Sequence, residues 1–136
     1  KKHQKSLIVD AMSSFGAIPI DIDHDHIDFL ISSSNKCLEG VPGFSFIIAN
    51  KNKLMACEGQ GTTLSLDLYH QWRGFENNGQ FRFTPPTHVL FAFKQALLEL
   101  EAEGGVEGRM TRYQTNHQLL LKGMMALEFK PYLSKD

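Results

Sequence analysis

The chain has 136 residues, a length that allows one domain with a buried core. It carries 14 lysines and arginines and 15 aspartates and glutamates, and a net charge of −1 lacks the basic excess of a protein that binds nucleic acid or anionic lipid. Hydrophobic residues make up 42% and charged residues 21%, which excludes the disordered and collagen-like classes.

Short apolar runs predict the strands of a mostly parallel α/β sheet. Residues 7–9 form one strand, buried on both faces, that ends in Asp10. Residues 27–31 form another, followed by a polar run that closes with Lys36. Only seven residues separate Lys36 from the apolar run at 44–49. Because a parallel crossover needs about a dozen residues, this last strand is expected to be antiparallel.

The middle of the chain predicts short helices and longer loops. Residues 50–57 are compatible with a short helix, and the glycine-rich residues 58–63 with a loop. Residues 66–72 predict a second helix, and residues 73–86 a long connection.

Two long helices are predicted at the end of the chain. Apolar residues recur at three-to-four spacing over 89–100, with Thr87 as the N-cap and Gly104-Gly105 as the stop. A second apolar stripe over 106–127 predicts the other helix. The fold class is therefore α/β, with a mostly parallel sheet, one antiparallel strand and two long closing helices.

A carboxylate and an amine each follow a predicted strand. Ligands of open α/β sheets collect at the carboxyl ends of the strands, where Asp10 and Lys36 would lie. Pyridoxal phosphate needs a lysine for its Schiff base, a partner for its ring nitrogen and donors for its phosphate. Residues 32–35 supply hydroxyl and amide donors. Two structural alternatives stay open: Lys36 as a solvated surface residue, and Asp10 as the cap of a turn.

Five segments of the sequence carry a specific resemblance: IVDAMSSFG at 8–16, DFLISSSNKC at 28–37, GVPGF at 40–44, SLDLY at 65–69 and FTPPTH at 83–88. They resemble the 2-aminoethylphosphonate–pyruvate transaminases, a family within class V of the fold-type I pyridoxal phosphate enzymes. The resemblance implies that the chain is an internal part of a longer enzyme. Residues 1–128 would belong to the large cofactor-binding domain, and residues 129–136 would begin the connection to a small C-terminal domain.

The resemblance also implies roles for single residues. Lys36 would be the catalytic Schiff-base lysine, and Asp10 the partner of the pyridine nitrogen. Met12 would pack against the cofactor ring, Asn35 would help to hold the phosphate, and Thr84 would reach the phosphate bound in the other subunit of a homodimer. The implied reaction moves the amino group of 2-aminoethylphosphonate to pyruvate and gives phosphonoacetaldehyde and L-alanine.

Two other functions stay open. One is another enzyme of the same class, either an alanine–glyoxylate or serine–pyruvate type transaminase or a cysteine desulfurase, although Asn35 lacks the aromatic ring that a desulfurase stacks on the cofactor. The other is an inactive binding or assembly piece that holds a metal through the acidic and histidine cluster at 21–26. Since consecutive residues point in different directions, we expect that cluster to be a solvated turn and expect no metal.

The expected compartment is the cytoplasm. No apolar run has the length of a membrane span, and no nucleic-acid or membrane partner is expected. Cys37 and Cys57 lack the spacing of a metal site and are expected to be free thiols, with Cys37 in a packing role.

Four other side chains have two interpretations each. His88 and His117 lie on the helix patterns and are expected to be helix-cap or core residues. Arg73 and Arg82 suit either a phosphonate at a dimer interface or pairing on the surface.

The loop at 59–63 lacks the lysine of a phosphate-binding P-loop and is expected to be flexible.

Overall fold

The computed structural model of the chain describes residue 3 and residues 5–133. Within these residues the chain forms three strands and four helices. They are β1 (Ile8–Asp10), β2 (Phe29–Ser33), β3 (Ser45–Ala49), α1 (Lys51–Met55), α2 (Leu68–Asn78), α3 (Thr87–Ala102) and α4 (Gly105–Ala126). The sheet has the order β1-β2-β3, with β1 parallel and β3 antiparallel to β2. The predicted α/β fold, with its antiparallel strand and two long closing helices, is confirmed.

The core lies against the middle of β2. Leu30 is fully buried and packs with Ala11 and Ile27, because it projects from the central strand of the sheet. The prediction that β1 is buried on both faces is wrong for this chain: Ile8 is 62% exposed. The reason is position, since β1 lies at the edge of the described sheet and has β2 as its one neighbouring strand.

Two short polar side chains begin the first helices. The Asn50 side chain accepts hydrogen bonds from the backbone at the start of α1, and the short helix predicted there is confirmed. Asp67 accepts from the backbone N–H of His70 at the start of α2. This second helix runs beyond its predicted end and stops where Gly79 takes a left-handed conformation, with φ of 70°. The predicted long connection is therefore reduced to residues 79–86.

The closing helices differ from their patterns in two ways. Thr87 is the first residue of α3 and not its N-cap, because Pro86 already accepts the first helical hydrogen bond, from Leu90. The predicted stop is confirmed at Gly104, which has φ of 98°. The predicted apolar face of α4 is wrong over its second half: Leu120 is 65% exposed, and the buried residue of the helix is Arg109.

The end of the described chain has no regular structure. Residues 129–133 form neither helix nor strand, and residues 134–136 of the predicted inter-domain connection lie outside the described residues. The division into a large domain up to residue 128 and a connection after it stays a prediction. Among the described helices, none is both long enough and apolar enough to pass through a lipid bilayer.

Candidate active site

Asp10 and Lys36 lie at the same edge of the sheet. Asp10 is the last residue of β1 and is paired with Ile31 of the parallel strand β2. Strand β2 continues to Ser33, and Lys36 follows in the next turn. Parallel neighbours end at the same edge, so the carboxylate and the amine follow the carboxyl ends of adjacent strands, as expected from their positions in the sequence.

The Asp10 side chain caps a turn and keeps one oxygen available. Its Oδ1 accepts a hydrogen bond of 2.9 Å from the backbone N–H of Met12. This is the turn-capping alternative raised by the sequence. Within the described residues no donor bonds the other oxygen, Oδ2, and the side chain is exposed. Asp10 can therefore accept a further hydrogen bond from a ligand while it holds the turn.

Lys36 lies in a compact turn formed by residues 34–40, here called the lysine turn. The Lys36 carbonyl accepts a hydrogen bond of 2.8 Å from Glu39, and the Ser34 carbonyl accepts one of 2.8 Å from Gly40. The Ser34 hydroxyl donates to the carbonyl of Val41 at 2.6 Å. The Lys36 side chain is exposed, and no carboxylate of the described chain pairs with it. The backbone is thus fixed while the amine stays free.

Asn35 and Met12 lie beside these two residues. The Asn35 side-chain oxygen accepts a hydrogen bond of 3.0 Å from the hydroxyl of Ser33, which leaves its amide nitrogen as a donor. Met12 is half-buried in the turn that Asp10 caps. Both therefore lie in the same two turns as Asp10 and Lys36.

Thr84 is not brought to these residues. It is exposed in the segment between α2 and α3, and no described hydrogen bond or ion pair joins that segment to Asp10 or Lys36. In the same segment the Arg82 guanidinium lies 5.3 Å from the centre of the Phe83 ring. Arg73 lies 5.9 Å from the ring of Trp72, so both arginines pack on neighbouring aromatic rings.

The turn after β1 packs against the lysine turn. The Cys37 thiol donates a hydrogen bond of 3.2 Å to the carbonyl of Ser13. Gly16 has φ of 98°, and a methyl group on it would lie 2.6 Å from Cδ2 of Leu38. Cys37 is buried and unbridged, which confirms the packing role and the free thiol expected of it, and Cys57 is also a free thiol.

A group of charged residues, missed by the sequence analysis, joins α4 to the lysine turn. Arg109 is 2% exposed and donates hydrogen bonds to the Cys37 carbonyl and, at 2.7 Å, to Glu103. Arg112 donates to Glu103 at 2.6 Å and to both carboxylate oxygens of Glu39, at 2.9 and 3.0 Å. We call these four residues, Glu39, Glu103, Arg109 and Arg112, the arginine clasp.

The clasp shifts the ionisation of its own members. The hydrogen bond from Arg112, followed by that from Arg109, lowers the pKa of Glu103 to about 2, against the opposing effect of desolvation. Desolvation alone would raise the pKa of Glu39, but hydrogen bonds from Arg112 and Tyr113 lower it overall. Both carboxylates are therefore charged at neutral pH.

The remaining candidates lie on the surface. The acidic and histidine cluster at 21–26 is a turn with its charged side chains exposed, and the described residues contain no group of three or more ligands able to hold a metal ion. The pKa of His24 is raised, chiefly because its Nδ1 donates a hydrogen bond to the Asp25 carboxylate. His88 and His117 were expected to be helix-cap or core residues. Both are exposed, so the core alternative is wrong; His88 lies in the first turn of α3 and His117 within α4.

The side-chain groups of the two turns fit pyridoxal phosphate. Lys36 offers an unpaired amine, Asp10 an unpaired carboxylate oxygen, and Asn35 a free amide N–H. These are the groups that an aldehyde, a protonated ring nitrogen and a phosphate require.

The carboxylate and the amine follow adjacent parallel strands at one edge of an α/β sheet. Comparison with known proteins assigns the family. A model of the family described as "Aminotransferase class-V" matches residues 1–135. The chain belongs to the class-V aminotransferase family, and the resemblance to it is confirmed.

Particular relatives carry a more specific name. The chain is 60% identical to a 2-aminoethylphosphonate–pyruvate transaminase of Vibrio vulnificus (strain YJ016), over 100% of this chain and 37% of that protein. It is 57% identical to one of Phocaeicola vulgatus, over 100% of this chain and 38% of that protein. The alanine–glyoxylate aminotransferase structure from Nostoc sp. superposes with a TM-score of 0.81 at 22% identity, over 98% of this chain and 36% of that one. The chain therefore spans a little over a third of its relatives.

Proposed function

We propose that the protein to which this chain belongs is a pyridoxal phosphate-dependent aminotransferase that moves the amino group of 2-aminoethylphosphonate to pyruvate. The products are phosphonoacetaldehyde and L-alanine. The observation that carries the proposal is the free amine of Lys36 and the free carboxylate oxygen of Asp10 after adjacent parallel strands. The substrates are supported by relatives that are 57% to 60% identical over the whole chain and bear that name.

Four residues of the two turns would contact the cofactor, and Thr84 would contact the one bound in a second subunit. When bound, pyridoxal phosphate supplies an aldehyde that combines with amines and a ring that accepts electrons. Lys36 would hold it through the side-chain amine, and Asp10 would accept a hydrogen bond from the protonated ring nitrogen. Met12 would contact the ring, and Asn35 would donate to the phosphate. Thr84, exposed on its own segment, would donate to the phosphate held by a second subunit.

Lys36 would also act as the base of the reaction. Its side-chain amine would accept the proton from the carbon that bears the substrate's amino group. Its side chain is unpaired and exposed, so that no ion pair of the described chain needs to be broken before it acts. The negative charge of Asp10 would favour the proton on the ring nitrogen of the cofactor, by about 1.4 kcal/mol for each pKa unit gained.

We also propose a homodimer in the cytoplasm, with small-molecule substrates and without a nucleic-acid or membrane partner. The homodimer is supported by Thr84, which is exposed and unbonded to the Asp10 and Lys36 turns of its own chain within the described residues. The cytoplasm is supported by the two free thiols, Cys37 and Cys57, which suit a reducing compartment.

Reductive labelling of the full-length protein tests the proposal. Borohydride treatment of the cofactor-loaded protein, followed by peptide mapping, should place the label on Lys36 and on no other lysine. A protein with Lys36→Arg is the matched control and should take up no label. A label on another lysine, or none in the wild-type protein, would contradict the proposed site.

Substrate assays separate the alternatives. We expect 2-aminoethylphosphonate with pyruvate to react faster than alanine with glyoxylate. The opposite order would assign the protein to the alanine–glyoxylate type of the same family. No transamination with any donor, together with no bound cofactor, would favour the binding or assembly piece.

A further inference from the structure

Arg109 joins two parts of the chain that are far apart in sequence. It lies on α4, yet its guanidinium donates a hydrogen bond to the backbone carbonyl of Cys37, the residue next to Lys36. The side chain is 2% exposed. Its charge is balanced by Glu103, which accepts a hydrogen bond from its Nε at 2.7 Å. The carbonyl of the lysine turn is therefore held by a buried, charge-assisted donor.

The other end of the lysine turn is held by the same clasp. Glu39 has φ of 58°, a left-handed conformation that is uncommon for a residue with a side chain. Its carboxylate accepts hydrogen bonds from Arg112 at 2.9 and 3.0 Å and from the Tyr113 hydroxyl at 2.8 Å. Such a backbone conformation persists where the surroundings hold it in place. Helix α4 is therefore hydrogen-bonded to the lysine turn on both sides of Leu38, at Cys37 and at Glu39.

A purely structural role gives little reason for an arginine at this position. Arg109 lies on the face of α4 that the sequence pattern marks as apolar, where a methionine or leucine would fill the space without a buried charge. A buried ion pair is often no more stabilising than packed apolar residues of similar volume. What an apolar side chain would lose is the donor to the Cys37 carbonyl.

We propose that Arg109 is a positioning residue for Lys36, holding the lysine turn so that Lys36 stays beyond the carboxyl end of β2, at the sheet edge where Asp10 lies. The inference rests on the proposed function, because it takes Lys36 as the reacting amine. The Lys36 side chain has no partner of its own in the described chain, so its place is set by the backbone on which it stands. That backbone is bonded to Arg109 one residue away.

Amide hydrogen exchange of the full-length protein without cofactor tests whether Arg109 stabilises the lysine turn. Arg109→Lys keeps the charge but cannot bond Glu103 and the Cys37 carbonyl with one planar fork. We expect the amides of Glu39 and Gly40, which close the turn, to exchange about tenfold faster, while those of β2 do not change. Glu103→Gln, which weakens the hold without emptying buried space, should give a smaller change in the same amides. Unchanged exchange in a folded Arg109→Lys protein would overturn the proposal.

Experiments on the cofactor-loaded protein test whether the hydrogen bond from Arg109 to the Cys37 carbonyl affects the position of Lys36. In Arg109→Lys we expect the pH at which the visible absorption of the bound cofactor changes to move by about half a unit or more. We also expect kcat to fall about tenfold with KM within about twofold of wild type. Lys122→Arg, an exposed change on α4 at a residue with no described bond to the lysine turn, should leave the pH of that absorption change within about 0.2 units of wild type.

The outcomes separate this inference from the proposed function. In Arg109→Lys, the amides of Glu39 and Gly40 could exchange faster while the pH at which the cofactor absorption changes stays the same. That result would show that the arginine stabilises the turn without positioning Lys36, and would overturn the inference. A borohydride label on a different lysine of the wild-type protein would contradict the proposed function instead, whatever the exchange rates.

Discussion

The Cys37 thiol donates a hydrogen bond of 3.2 Å to the Ser13 carbonyl and so ties the turn after β1 to the turn after β2. Gly16 and Leu38 add a close apolar contact between the same two turns. Asp10 begins one of these turns, and Lys36 lies in the other. The two groups are therefore placed by one packed unit, and a change in its packing should be felt by both.

The contact between the two turns predicts a cost for Gly16→Ala. A methyl group would lie 2.6 Å from Leu38 Cδ2, and φ of 98° strains any residue with a side chain. We expect the free energy of unfolding of the full-length protein to fall by about 1–3 kcal/mol. Denaturant unfolding monitored by circular dichroism measures it.

Gly123→Ala is the matched control. Gly123 lies inside α4, and a methyl group there would meet no atom within 4 Å. Alanine has a higher helix propensity than glycine in a helix interior, so this variant should be about 0.5–1 kcal/mol more stable than wild type. Equal stability of the Gly16 and Gly123 variants would contradict the packing described for the two turns.

The free amine of Lys36 predicts a large loss of activity in Lys36→Arg. Arginine keeps the positive charge, but it remains protonated at neutral pH and cannot act as an amine base. We expect kcat to fall about 10³-fold or more, since a positioned acid–base group contributes about 10² to 10⁴. Steady-state assays with 2-aminoethylphosphonate and pyruvate measure it. Lys51→Arg serves as the control, because Lys51 lies 5.4 Å from the Trp72 ring and arginine keeps that contact.

The Asp10 carboxylate predicts a loss in turnover that exceeds the loss in cofactor binding. Asp10→Asn keeps a side-chain oxygen for the Met12 N–H but removes the negative charge. Because each pKa unit of lost ring protonation corresponds to about tenfold in rate, we expect kcat to fall about 100-fold and cofactor affinity to fall less.

Asp21→Asn is the matched control for this prediction. The Asp21 side chain also caps a turn, accepting a hydrogen bond of 2.9 Å from the His24 N–H, and it is exposed. The same substitution there should leave kcat at the wild-type value. If the two variants had equal activity, Asp10 would be no more than the cap of its turn.

The depressed pKa of Glu103 predicts a pH dependence of stability. Hydrogen bonds from Arg112 and then Arg109 lower this pKa to about 2 from an ordinary value of 4.5. The folded state therefore holds the charged form more strongly than the unfolded chain does. This contribution is complete above about pH 5 and is lost as the pH falls toward 2.

Glu103→Gln removes the titrating group and should show the difference directly. Wild type should be the more stable at pH 7, and the gap should narrow as the pH is lowered to 3. Glu101→Gln, in which an exposed carboxylate of α3 is changed, should follow the wild-type curve. A constant gap between wild type and Glu103→Gln across this range would contradict the role of the clasp. Denaturant titrations at several pH values provide the measurement.

The elements that local patterns specify were predictable from the sequence. Apolar runs that end in polar residues located β1 and β2, and the seven-residue gap before β3 indicated its antiparallel direction. The length of α2 was missed because Gly74, Asn77 and Asn78 are residue types that favour turns, yet the helix includes them and ends before Gly79. Hydrophobic spacing alone could not show that the second half of α4 is exposed, since exposure depends on what packs there.

The site was predictable in part for the same reason. Asp10 and Lys36 follow strands, so topology alone brings them to one edge. The clasp joins Glu39 to Arg112, residues 73 positions apart in the chain, and no local pattern reports such a pairing. Two arginines at positions 109 and 112, one turn apart on a helix, were the one signal available.

The position of strand β2 determines both where Leu30 packs in the core and where Lys36 lies relative to Asp10. Leu30 is opposite Val9, and Ile31 is opposite Asp10. A single-residue insertion or deletion between Leu30 and Lys36 would shift the amine along the strand by about 3.3 Å relative to the carboxylate. Slippage of the whole strand by one residue would instead turn Leu30 toward the opposite face. The number of residues in this stretch therefore fixes the position of the amine relative to the carboxylate, in addition to the bonds that its side chains make.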